Sequence, residues 1–343
     1  MTGGGLNYQN NNLTFNYRGL GEIEIYFPQT DTLDSRMVYR AALREGGITP
    51  EIKYLYIRPN MKKGHFTAGR QPVFWSYGAI FNLMDYGPAI DQLAGQTIRS
   101  GIDGLRYHRH LGSGNSLQLV ATFPKFQNIH GEDLGYGSRL RFPGSGYDLS
   151  FNFFYQPVNL QSDDNLLRSG LTFNTDISGP GIYGSGGYFH LKDSGIYDLL
   201  LQMGIDYSWI LSGPGGTRVI FQTEYFRFLK ENMNAGLLSY LMLGGDSLEY
   251  SLTAGGEYGG QVQALRTLTS SDLLLINISF QPHYFSTGGS VFMYETENKT
   301  GGVSPYYITE LGQGLELRFE NNIFWDAGGN FSLGFSGTFY HYF

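Results

Sequence analysis

Taken every second residue back from the C-terminus, the chain reads Phe343, His341, Phe339, Gly337, Phe335, Leu333 and Phe331, and the residues between are Tyr342, Tyr340, Thr338, Ser336, Gly334 and Ser332. A period of two places these sets on opposite sides of a β-strand, one side mostly apolar and the other small or polar. The same alternation recurs along the chain. Tyr197, Leu199, Leu201, Met203, Ile205, Tyr207 and Trp209 form an unbroken apolar phase against Asp198, Leu200, Gln202, Gly204, Asp206 and Ser208. Leu149, Phe151, Phe153 and Tyr155 alternate with Asp148, Ser150, Asn152, Phe154 and Gln156, and Leu274, Ile276, Ile278 and Phe280 make a further phase. No segment carries a convincing helical period.

The strands so predicted are about 10 to 14 residues long, against a mean of about 5 to 6 in soluble domains and about 9 to 11 needed to cross a bilayer. Aromatics bracket the apolar phase. From Tyr197 to Tyr207 is roughly 33 Å along a strand, which a tilt of about 40° projects to about 25 Å, the height of a lipid-facing band. Short glycine-rich connections (112–115, 143–146, 178–181, 212–216) alternate with longer ones (82–97, 124–135 and the stretch after Lys230). One rim of an antiparallel barrel carries tight turns and the other carries loops. The expected fold is therefore all-β, a transmembrane antiparallel up-and-down β-barrel of about 16 strands within a range of 14 to 18, with residues 1–343 as one domain. A soluble sandwich with its apolar face inward is the competing architecture.

Composition sharpens this. Charged residues make up 15% and aromatics 16%, with 49 glycines, no cysteine and a formal charge of −7. Depleted charge and a Ser, Gly, Asn, Gln and Thr-rich second phase suit a lumen better than a soluble surface. Absent cysteine excludes disulfides and thiolate metal sites, and the acidic balance argues against a nucleic-acid partner. The start MTGGGLNYQ lacks the basic and apolar regions of a signal peptide, as expected of a mature exported form.

The terminal strand resembles the assembly signal of bacterial outer-membrane β-barrel proteins, with Phe343, Phe339, Phe335 and Leu333 in place and His341 where an aromatic or aliphatic residue is usual. The stretch 66–85 is similar to a segment of porins and alginate-export-like barrels through Gly69, Arg70, Gln71, Trp75, Phe81, Asn82 and Asp85, although Ser76 and Tyr77 interrupt the Trp-Gly pair of that pattern. These resemblances imply a bacterial outer-membrane location, membrane lipid as surroundings, the barrel-assembly machinery as a partner of the strand ending at Phe343, small polar solutes as cargo, and a homotrimer as one assembly.

If the apolar phase faces lipid, the other phase lines the interior. The expected pore-lining residues are Arg36, Arg40, Arg44, Arg70, Arg106, Arg139, Arg141, Arg168, Asp198, Asp206, Glu224, Glu316, Arg318 and Glu320. Their signs divide: residues 1–172 hold 16 Lys and Arg against 14 Asp and Glu, and residues 173–343 hold 7 against 16. Because sequential strands occupy sequential positions around a wall, one wall is relatively basic and the other acidic. Such a field suits passive diffusion of small hydrophilic solutes and ions. An acidic polysaccharide channel and a non-conducting structural barrel anchoring the envelope are the alternatives. His108 and His110 share one strand face, but no third ligand is in view, so no metal or cofactor is expected. The seven histidines sit in no hydrolytic motif, so no enzyme is expected.

Overall fold

The computed structural model describes residues 2–9, 12–27, 30–44, 47–78, 84, 101–123, 134–159, 163–211, 216–230, 272–283, 285–312 and 315–341. Among these residues eighteen strands form one antiparallel sheet. In chain order they are β1 (Thr2–Gln9), β2 (Asn12–Tyr26), β3 (Leu33–Arg44), β4 (Gly47–Met61), β5 (Gly64–Gln71), β6 (Ile102–Gly112), β7 (Asn115–Thr122), β8 (Gly135–Gly144) and β9 (Tyr147–Asn159). The second half continues with β10 (Asp163–Asp176), β11 (Gly181–Leu191), β12 (Ile196–Ile210), β13 (Arg218–Phe228), β14 (Asp272–His283), β15 (Ser286–Tyr294), β16 (Gly301–Gly312), β17 (Leu315–Trp325) and β18 (Phe331–His341). Each strand pairs with its sequence neighbours, and β1 pairs with β18, with Thr2 opposite His341 and Tyr8 opposite Phe335. The sheet is thus a closed up-and-down barrel. Closure satisfies every edge, which strands with an apolar outer face require in a bilayer.

Eighteen strands stand at the upper end of the expected range. Several are shorter than the pattern implied, β5, β7 and β15 having 8, 8 and 9 residues. The connections sort by rim. The β6–β7, β8–β9, β10–β11 and β12–β13 turns, the four glycine-rich connections, lie with β4–β5 and the β1 and β18 ends on one rim, hereafter the short-turn rim. The β5–β6, β7–β8 and β13–β14 connections span 72–101, 123–134 and 229–271 and share the opposite, long-loop rim.

Sidedness is plainest in β12, where exposure alternates residue by residue. Leu199, Leu201, Met203 and Ile205 are exposed on the outside, while Asp198, Leu200 and Gln202 are buried on the inside. Leu55, Ile57, Leu105, Leu119, Phe151, Phe153, Ile278 and Phe319 continue this exposed apolar exterior. No solvent other than hydrocarbon tolerates such a surface at this extent, so the barrel spans a membrane with its polar phase inward. Among the described residues no helix is long and apolar enough to cross a membrane.

The inner phase is not uniformly polar, contrary to the sequence expectation. In the long-loop half of β10–β15, Leu166, Phe189, Leu191, Leu200, Phe226, Phe228, Leu273, Leu275, Val291 and Met293 all point inward and are almost wholly buried. They come from runs such as Leu199–Leu201 and Leu273–Leu275, apolar in both phases, the signature of a strand covered on both faces.

Candidate pore

After Gln71 the chain turns back into the barrel instead of continuing over the rim. Arg106 Nη1 donates to the Pro72 carbonyl at 2.9 Å. Val73 and Trp75 then pack with Val120 and Phe154 on the inner wall of β7 and β9. Trp75 Nε1 donates to Gln118 Oε1 at 2.8 Å, and its ring lies 4.8 Å from that of Phe154. Gly137 of β8 leaves the space, because a Cβ there would meet the Trp75 ring at 3.1 Å. Farther along, Arg139 Nη2 donates to the Tyr77 hydroxyl at 2.5 Å with the guanidinium over the ring, and burial pushes the Tyr77 phenol up. Met84 is completely buried against β10 and β11, where a Cβ on Gly187 would come within 2.7 Å of its Sδ. Residues 72–78 and Met84 therefore lie inside the lumen, against β7–β9 and against β10–β11 respectively. Of the predicted loop 82–97, Met84 alone is among the described residues, and it lies inside.

The predicted lumen residues separate into four groups. Arg36, Arg106, Arg139, Arg141, Asp206, Glu316, Arg318 and Glu320 occupy the inner phase of β3, β6, β8, β12 and β17. Arg40 and Arg44 continue the phase of Arg36 along β3, with Arg40 in register with Glu22 and Glu51. Arg168, Asp198 and Glu224 point inward but are no more than 2% exposed, which corrects their assignment as pore-lining. Each acts as a tie instead: Arg168 Nη2 donates to Gln156 Oε1 at 2.5 Å and caps the Phe154 ring. Asp198 accepts the Leu199 and Lys230 amides at 2.7 and 2.8 Å. Glu224 accepts from the Tyr183 hydroxyl at 2.7 Å and from Gln202. Finally, Arg70 does not face the lumen. It is in register with Leu55 and Asp103, on the outward phase at the long-loop rim, where its Nε donates to Asp103 Oδ1 at 2.9 Å. Gly69, with φ of 113°, precedes it and falls out of any plain strand pattern.

Inward-phase charges are distributed among the strands as follows. On β3–β8 the inward-phase arginines outnumber the acids; Asp34 of β3 pairs with Arg58 of β4, and Asp148 of the adjoining β9 pairs with Arg141 of β8. Asp148 and Arg141 Nε meet at 2.7 Å. β17 brings Glu316, Arg318 and Glu320, and it stands nine strands from β8 in a ring of eighteen, so it faces the arginine wall across the lumen. Sequence reasoning missed Arg58 and His65. His65 lies in register with His108, their rings 4.7 Å apart, and His108 lies 4.6 Å from His110. Among the described residues, no group of three His, Cys, Asp or Glu is arranged to hold a metal.

Comparison of whole structures identifies the architecture. The fold is that of outer-membrane porins. The chain superposes on OccK5 (OpdH) of Pseudomonas aeruginosa with a TM-score of 0.59 and 10% identity, covering 98% of this chain and 95% of that one. For OccK2 (OpdF) of the same organism, solved in complex with glucuronate, the values are 0.56, 9%, 98% and 94%. For OmpT of Vibrio cholerae, an outer membrane protein in trimer form, they are 0.50, 11%, 99% and 98%. No protein-family model matches the chain, and no curated protein matches it.

Proposed function

We propose that this protein is a passive outer-membrane channel for small hydrophilic solutes and ions, its selectivity set by the field between the basic β3–β8 wall and the acidic wall that includes β17. The observation that carries the reading is the combination of an eighteen-strand barrel, wide enough to leave an aqueous passage, with residues 72–78 and Met84 placed inside it, where they narrow it. Inward Arg36, Arg106, Arg141, Asp206, Glu316 and Glu320 are the groups a passing solute meets. Short turns and both chain ends share one rim, which suits a periplasmic mouth, with the long loops extracellular. Insertion through the assembly machinery would use the terminal strand, whose last two residues lie outside the described residues. Association into homotrimers is the assembly we favour, by analogy with the trimer form of the Vibrio neighbour.

A second reading has one observation behind it. The OccK2 neighbour was solved with glucuronate, and the arginine wall here suits an acidic sugar, so transport of acidic oligosaccharides deepens the channel reading. Single-channel recording in planar bilayers tests both. Refolded protein should give discrete conductance steps, and a uronic-acid oligomer should compete with the ion current if acidic sugars are cargo. Absence of any ion current from folded protein would defeat the channel and favour a closed structural barrel.

A further inference from the structure

The inner wall of β5 and β6 near the short-turn rim holds a group of basic side chains that solute passage as such does not require. His65, His108 and His110 stand on one face, each outer ring 4.6 to 4.7 Å from that of His108. Arg106 lies two residues before His108 on the same phase, in register with Thr67, two residues from His65. Two of the group's nitrogens, His108 Nε2 and Arg106 Nε, are withdrawn from solvent with no hydrogen-bond partner. A buried donor left unsatisfied costs about 1 to 3 kcal/mol, which a bound acceptor would recover. His110 is exposed, so the group is reachable from the lumen.

The surroundings decide the sign of what completes it. From β4 the inward neighbours are Asn60, opposite His65, and then Arg58 and Tyr56, Arg58 being held by Asp34 of β3. From β7 they are the neutral Ser116 and Gln118, opposite His110 and His108. Beyond these, β8 adds Arg139 and Arg141, bound to Tyr77 and Asp148. A metal cation is ill suited here: no group of three His, Cys, Asp or Glu among the described residues is arranged to hold one, and Arg106 and Arg58 lie on the same inner face. An anion is well suited, since it would offer acceptors to Arg106 and to imidazolium donors.

We propose that His65, Arg106, His108 and His110 form a binding site for a small oxyanion, with proton uptake by the imidazoles coupled to binding. A bound anion favours the protonated imidazole, which offers it donors at both ring nitrogens. By linkage, affinity rises as pH falls through the range in which imidazole titrates. The site rests on the channel reading only for the route by which an anion reaches it.

Inorganic sulfate is the probe of choice because its charge is constant between pH 5.5 and 8, so any pH dependence belongs to the protein. Calorimetric titration of the folded full-length protein in detergent should give sulfate binding at least about tenfold tighter at pH 5.5 than at pH 8, the size of one charge-assisted hydrogen bond. ¹⁵N spectra of labelled histidine should show sulfate converting imidazole to imidazolium near pH 6.5. The His65→Asn/His108→Asn double variant, folded as judged by gel mobility before and after boiling, should lose that pH dependence. Sulfate affinity equal at the two pH values, or histidine spectra unmoved by sulfate, would overturn the site whether or not the variant folds. Parallel bilayer recording separates the two claims: sulfate binding without ion current sinks the channel and spares the site, and current without binding does the reverse.

Discussion

Single side chains set how firmly the lumen is narrowed. Trp75 is held by Gln118, by the Phe154 ring and by the space over Gly137, so it is the main anchor of the in-folded segment. Truncating a buried aromatic costs about 3 to 5 kcal/mol, and Trp75→Ala should release the segment, raising and destabilising single-channel conductance. Conductance unchanged from wild type would show that Trp75 does not restrain it. In the turn after β17, Asp326 accepts the side-chain amide of Asn330 at 2.8 Å and its backbone amide at 2.9 Å. These bonds hold its carboxyl below the ordinary carboxylate range. A depressed pKa means that the stabilisation is complete above about pH 4 and is lost as pH falls through the lowered value. Hydrogen exchange at the Asn330 amide should therefore be protected at pH 6 and lose protection only on acidification below the ordinary carboxylate range. Protection that persists there would place the cause elsewhere.

At the scale of strands and turns, sidedness and rim chemistry carry different costs. Leu201 lies mid-strand on the lipid face of β12 and Gln222 on the lumen face of β13. Leu201→Arg should destabilise the barrel by about 2 to 4 kcal/mol, whereas Gln222→Arg should stay within about 1 kcal/mol. Denaturant unfolding in lipid vesicles measures both, and equal effects would contradict the assigned faces. The long-loop rim also reuses one device. Asp164 near the start of β10 accepts the Asp193 and Ser194 amides of the β11–β12 turn, and Asp272 at the start of β14 accepts the Thr296 amide of the β15–β16 turn. In each case a carboxylate opening one strand ties down the turn beyond the next. Asp272→Ala should cost about 1 to 3 kcal/mol and speed exchange at the Thr296 amide; a neutral result would reduce the device to decoration.

For the molecule as a whole, the proposed division of charge between opposite walls makes a directional prediction. Removing acid from β17 with Glu316→Gln/Glu320→Gln should shift the reversal potential toward anion preference, and Arg141→Gln on β8 should shift it toward cations, each by roughly twofold in permeability ratio. Shifts of the same sign, or none, would mean that these groups do not see the permeating ion. The outer surface makes a second one. With so much apolar area outward, the protein should require detergent and should migrate differently on gels before and after boiling.

Alternation by itself determined the strands, their antiparallel closure and which side meets lipid, because a period of two is a local property and the bilayer imposes one rule on every strand. It also marked Arg106, Arg139, Arg141 and Glu320 as inward. Tertiary structure alone decided the rest. Arg70 carries the inward-looking residue type of its neighbours, but the special backbone at Gly69 and its register with Leu55 put it outside. Asp198, Glu224 and Arg168 hold the correct phase yet lie buried, since phase gives direction and says nothing of what covers a side chain. The placement of residues 72–78 and Met84 inside the lumen, and the meeting of His65 with His108 and His110 across two strands, depend on contacts between residues distant in the chain, which no local period encodes.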